Sequence, residues 1–101
     1  MANQHVRMVS AQIKPGKLDE AVEFWRTTVA PTARELKGYV SARMLVDREA
    51  SRLRSIGFWE SQEDFLASVP WTQGHVARFG EFLAAPPVIE GFDLVHEFLK
   101  D

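Results

Sequence analysis

Residues 38–60, GYVSARMLVDREASRLRSIGFWE, decide the fold. Two alternating runs lie back to back in this stretch. From Tyr39 to Asp47, Val40, Ala42, Met44 and Val46 oppose Tyr39, Ser41, Arg43 and Leu45; from Arg52 to Glu60, Ile56 and Phe58 oppose Leu53, Ser55, Gly57 and Trp59. The polar Asp47-Arg48-Glu49-Ala50-Ser51 between them is a hairpin loop. Two strands joined this directly pair antiparallel, and helical patterns flank them on both sides, which is the centre of a β-α-β-β-α-β order.

Upstream, Val6 to Ile13 reads as a strand with Val9, Ala11 and Ile13 on one face and Met8, Ser10 and Gln12 on the other, ended by Pro15-Gly16. From Lys17 to Leu36 the apolar Leu18, Ala21, Val22, Trp25, Val29, Ala33 and Leu36 recur at helical spacing. Pro31 removes a donor inside that helix and predicts a kink near Val29-Ala30, while Gly38 is placed to end it. Downstream, Ser61-Gln62-Glu63-Asp64 resembles a capping box that opens a short helix, and Pro70 starts a second one. On that second helix Trp71, Thr72, His75, Val76, Phe79, Phe82 and Leu83 share one arc, with His75 inside it. Pro86-Pro87 closes the helical region, and Val88 to Leu99 is expected as a long last strand. The whole order is an α+β, ferredoxin-like sandwich spanning residues 1–101 as one domain.

Composition excludes several functions. No cysteine is present, so disulfides, thiolate metal sites and cysteine nucleophiles are out. A formal charge of −2, with only Arg43, Arg48, Arg52 and Arg54 scattered over the hairpin, argues against nucleic acid as a partner. Met1-Ala2-Asn3-Gln4-His5 lacks the basic flank and apolar core of a signal peptide, and no long apolar run suggests a membrane partner, so a cytoplasmic protein is expected. No phosphate loop, serine elbow or zinc-helix motif occurs, and neither a metal nor a cofactor is expected. Asp19-Glu20-Glu23 and Glu60-Glu63-Asp64 fall at helix starts and read as solvated charges favoured by the helix dipole.

The strands also speak about partners. If Val9, Ala11, Val40, Ala42, Met44, Ile56 and Phe58 face the helices, the back of the sheet carries Met8, Tyr39, Leu45, Leu53 and Trp59. An apolar back invites association, so a homodimer packed sheet against sheet is expected.

The segments Ile13-Lys14-Pro15-Gly16-Lys17-Leu18-Asp19-Glu20-Ala21, Gly38-Tyr39, Phe58-Trp59-Glu60-Ser61-Gln62-Glu63-Asp64-Phe65 and the later His75 resemble the antibiotic biosynthesis monooxygenase domain of the dimeric α+β barrel superfamily. The resemblance runs over roughly residues 6–98. It implies a barrel made by two ferredoxin-like subunits whose last strands reach the neighbour, and for one branch a cofactor-independent oxidation of phenolic or quinol-type substrates by O₂. Haem-cleaving members carry an Asn on the first strand. The nearest positions here are Val9 and Ser10, and Trp71 lies closer to His75 than in those members, which points away from haem degradation.

Cofactor-free oxidation needs a dry aromatic slot and a base for a phenolic proton. Trp25, Trp71, Phe58 and Phe79 are the candidate walls for a small aromatic molecule, and His75 is the candidate base, since burial favours neutral imidazole. Plain alternatives exist for each. A histidine in an apolar stripe is more often a core residue bonded to a backbone carbonyl, and tryptophans more often only pack. Trp59 is expected at the dimer interface or strand end, Arg43 beside a carboxylate, and His5 in a frayed terminus, while His96 on the last strand has no evident acid or nucleophile partner. The alternative function is a non-catalytic dimeric small-molecule binder of the same fold.

Overall fold

In the computed structural model, which describes residues 4–100, four strands form one antiparallel sheet in the order β2-β3-β1-β4. They are β1 (His5–Gln12), β2 (Tyr39–Asp47), β3 (Arg52–Trp59) and β4 (Val88–Asp93). The order of elements and of strands is ferredoxin-like. Met1, Ala2, Asn3 and Asp101 lie outside the described residues, and with them most of the N-terminal segment read for a leader. No described helix is long and apolar enough to cross a membrane.

Helices cover one face. The first helical run is α1 (Leu18–Phe24), a π-helical turn at Trp25–Val29 and α2 (Ala30–Ala33). Pro31 explains the π turn: it has no N–H to give the carbonyl four residues back, and the helix widens so that the Ala30 N–H reaches the Trp25 carbonyl. The second run is α3 (Gln62–Ala67) and α4 (Val69–Phe79), followed by a 3₁₀ turn at Gly80–Phe82. Ser61 caps α3 by accepting from the Asp64 N–H at 3.1 Å, and Pro70 occupies the first turn of α4. Ala11, Ile13 and Leu53 of the sheet side meet Leu18, Ala21, Phe79 and Phe82 of the helix side in the main core. Backbone bonds from Lys14 to Phe82 and from Ala84 to Gln12, each 2.8 Å, tie the end of α4 to β1 at that pole.

Pairing register corrects the expected sheet faces. Ala11 lies opposite Leu53, Val9 opposite Ser55, and Met8 opposite Ile56, so Leu53, Ser55, Gly57 and Trp59 turn to the helices while Ile56 and Phe58 turn away. A bulge between Tyr39 and Ser41 puts Tyr39 on the helix side as well, where its ring meets Trp59 edge-on at 5.7 Å. Trp59, expected on the back, is 2% exposed. The back keeps Met8 and Leu45, as expected, and stays apolar with Val6, Ile56, Phe58, Val88 and Phe92 in place of Tyr39, Leu53 and Trp59.

Three smaller expectations also change. His5 is not frayed: it is buried in β1, stacks on Phe65 at 4.7 Å and places Nδ1 3.2 Å from Asp93. Arg43 lies 5.4 Å over the Phe58 ring, and among the described residues it forms no ion pair. The last strand stops at Asp93, so residues 94–100 leave the sheet; in this tail Val95 is 79% exposed and Phe98 89%.

Gly38 shows why the first connection needs glycine. Its φ is +81°, and a Cβ there would collide with the Asp64 carboxyl group. Gly38→Ala is therefore expected to cost about 1–3 kcal/mol, read as a lower denaturation midpoint with an unchanged slope. Alanine at Gly16, also at positive φ but with open space around it, should cost less.

Candidate active site

Between the helices and the middle of the sheet lies a cavity of about 70 Å³ with a mouth to solvent. The sheet supplies Arg7, Val9, Met44 and Ser55 to it; the first helical run supplies Trp25 and Val29; α4 supplies Trp71, Thr72, His75, Val76 and Phe79. These α4 residues recur at intervals of one, three and four, so one helical face delivers them together. The π turn presents Trp25 and Val29 at the opposite wall. At roughly 30 Å³ per water, the space holds only a few waters, far below the order of 300 Å³ of a drug-sized ligand or cofactor site.

His75 is half-buried and its ring meets Trp71 edge-on at 4.5 Å. Its Nδ1 is fully covered and has no hydrogen-bond partner among the described residues. The ordinary core arrangement, a ring nitrogen on a backbone carbonyl, is therefore not what holds Nδ1. Burial pushes the imidazole below its usual value, and the Arg78 guanidinium adds to the effect. At neutral pH the ring is uncharged and can accept a proton.

Arg7 is the charged group that sequence reasoning missed. It shares the inward face of β1 with Val9 and Ala11, and its cross-strand neighbours are Gly57 and Gly91. Neither offers a side chain to pair with. Its Nη1 donates to Thr72 Oγ1 at 2.7 Å, while Nε is covered and without a partner. Among the described residues no carboxylate lies within salt-bridge distance of it, and burial pulls its pKa down from the usual arginine value. The signal was parity: a side chain two before Val9 must point where Val9 points.

Of the candidate residues, the structure brings His75, Trp25, Trp71 and Phe79 together around one cavity. Phe58 is not among them. It sits on the far face of the sheet, because the β1–β3 register turns it away from the helices. A shallower hollow of about 580 Å³ lies along the strand ends on that side, among Ser10, Leu45, Arg54, Ile56 and Val88. It is larger and is lined by Asp47 but by no histidine. Among the described residues, no group of three or more His, Cys, Asp or Glu side chains could hold a metal.

The family model described as antibiotic biosynthesis monooxygenase matches residues 5–79. No curated protein matches the chain in sequence. Among solved structures, a monooxygenase from the gene ActVA-Orf6 of Streptomyces coelicolor, in complex with nanaomycin D, superposes with a TM-score of 0.82 at 18% identity, over 98% of this chain and 94% of that one. A protein of unknown function from Nitrosomonas europaea gives 0.80 at 19% identity, over 99% and 97%. SnoaB, a cofactor-independent oxygenase from Streptomyces nogalater, gives 0.79 at 16% identity, over 99% and 100%.

Proposed function

Because the chain belongs to the antibiotic biosynthesis monooxygenase family, we propose that it is a cofactor-independent monooxygenase that oxidises a small phenolic or quinol-type substrate with O₂. The observation that carries the reading is His75, held edge-on to Trp71 in a largely apolar cavity, its buried Nδ1 without a hydrogen-bond partner among the described residues and its pKa pushed down by burial. SnoaB, of the same fold, is itself a cofactor-independent oxygenase, and the ActVA-Orf6 monooxygenase holds nanaomycin D.

The chemistry asks little of the protein. His75 takes a proton from the substrate, and the resulting anion is electron-rich enough to reduce O₂ itself. For a methylene beside a phenolic ring the sum is CH₂ plus O₂ giving C=O plus H₂O. One oxygen enters the carbonyl, the other leaves as water with the two hydrogens, and the substrate supplies all four electrons. Trp25, Trp71 and Phe79 hold the ring and keep water away from the anion.

Oxygen uptake with a panel of hydroquinones and anthrones tests this reading. Uptake by the purified protein without added metal or cofactor is the expected result. Binding of the same compounds with no uptake would instead make the protein the non-catalytic binder of this fold.

The working unit is a homodimer joined through the backs of the two sheets, which closes them into a barrel. Leu45, Val88 and Phe92 on that face are about half exposed, and Val95 and Phe98 of the tail are largely exposed as well. At about 25 cal/mol per Å², covering this many side chains is worth several kcal/mol. Sedimentation should give twice the chain mass at micromolar concentration, and Ile56→Asp should give the single-chain mass. A wild-type protein that runs as one chain at that concentration removes the dimer.

A further inference from the structure

Arg7 is an expensive residue to keep where it is. Arg7 is partly buried with its Nε fully covered, and a cation drawn out of water without a counter-charge is disfavoured, so natural proteins usually pair such groups. Here, among the described residues, one of the four polar side chains in the cavity lining, and its sole charge, is a guanidinium tethered by a single neutral acceptor. Every carboxylate that forms an ion pair among the described residues is taken by another partner, mostly on the outer surface. Thr72 uses an oxygen lone pair to accept from Arg7, which leaves its hydroxyl proton available to donate in turn. Because the positions opposite Arg7 on both neighbouring strands are glycines, no cross-strand side chain competes for the guanidinium.

We propose that Arg7, fixed by Thr72, is the anion subsite of this cavity, and that it selects small aromatic ligands carrying an anionic oxygen, a carboxylate or a phenolate. The inference rests on the reading of the cavity as the substrate pocket. The ring lies against Trp71 and Trp25, and its oxygen receives the free guanidinium donors. Such charge-assisted bonds are about twice as strong as neutral ones. If the anion is the phenolate of the reacting ring, Arg7 steadies the charge that His75 creates; if it is a carboxylate, Arg7 orients the ring toward His75.

Calorimetric or NMR titration of the full chain separates these cases. The probes are benzoate against benzamide for the carboxylate, and 4-nitrophenolate against 4-nitroanisole for the phenolate. At least one anion should bind about tenfold or more tightly than its neutral partner, and Arg7→Met should erase that preference by weakening the anion much more than the neutral probe. Arg7→Lys should restore part of it. Thr72→Val, which keeps the charge but releases its tether, should weaken the anion less than Arg7→Met does. Removing a partly buried charge without a counter-charge should leave the melting temperature of Arg7→Met no lower than that of wild type, which also guards against misreading an unfolded variant. Equal affinity for anion and neutral partner, or a preference that survives Arg7→Met, overturns the subsite. Since no arm requires turnover, anion preference without oxygen uptake would refute only the oxygenase reading, and uptake without anion preference would refute only this one.

Discussion

Oxygen uptake by the His75→Ala variant is expected to fall by about 10²–10⁴-fold, the usual contribution of one positioned acid–base group. The loss should lie in kcat, because the imidazole contributes little wall area beside Trp25, Trp71 and Phe79. It should not come from unfolding: the residue is half-buried and its Nδ1 has no hydrogen bond to lose among the described residues. The pH profile adds an independent reading. With His75 held below its usual value by burial and then by Arg78, uptake should stay high through neutral pH and fall only on the acid side of an ordinary histidine. Arg78→Gln removes one of the two causes and should move that acid limb back toward neutrality. Stability carries the same sign. The unfolded chain binds the proton more readily than the native one, so this group's effect is to lower stability as pH falls through the unfolded histidine value. Equal uptake by wild type and His75→Ala would take the histidine out of the mechanism.

Trp59→Ala should produce the largest change in stability. The indole is 2% exposed, meets Tyr39 edge-on and closes the pole of the sheet opposite the main core. Deleting it leaves a cavity the strands cannot collapse to fill, at a cost of about 3–5 kcal/mol. A domain of this size holds roughly 5–15 kcal/mol in all, so the variant should melt well over 10 °C lower or fail to fold. Phe58→Ala, one residue away, is the control. It removes a ring from the far face, where Arg43 lies over it, and should leave the single chain nearly as stable. Its effect should grow with protein concentration as dimer contacts are lost, whereas that of Trp59→Ala should be independent of concentration. The reverse ranking in dilute denaturation experiments would place the wrong set of β3 side chains against the helices.

Sequence alone settled the order of elements and much of their punctuation. Proline and serine act locally, through a missing N–H or a hydroxyl within reach of the next turn, so Pro31, Ser61 and Pro70 distort or begin helices where their chemistry requires. The α4 face bearing Trp71, His75 and Phe79 was legible for a similar reason: helical spacing is a property of one segment. Which face of a strand is buried is not. Leu53 with Trp59 and Ile56 with Phe58 are equally apolar alternatives on β3, and only its pairing with β1, together with the bulge in β2, chose the first pair. The same long-range pairing set Arg7 beside two glycines and against Thr72, turning an arginine that composition counts as surface charge into the one cation of the cavity. Periodicity in one segment tells which side chains stand together; what they stand against is decided by neighbours distant in the chain, and there the candidate chemistry of this protein is assembled.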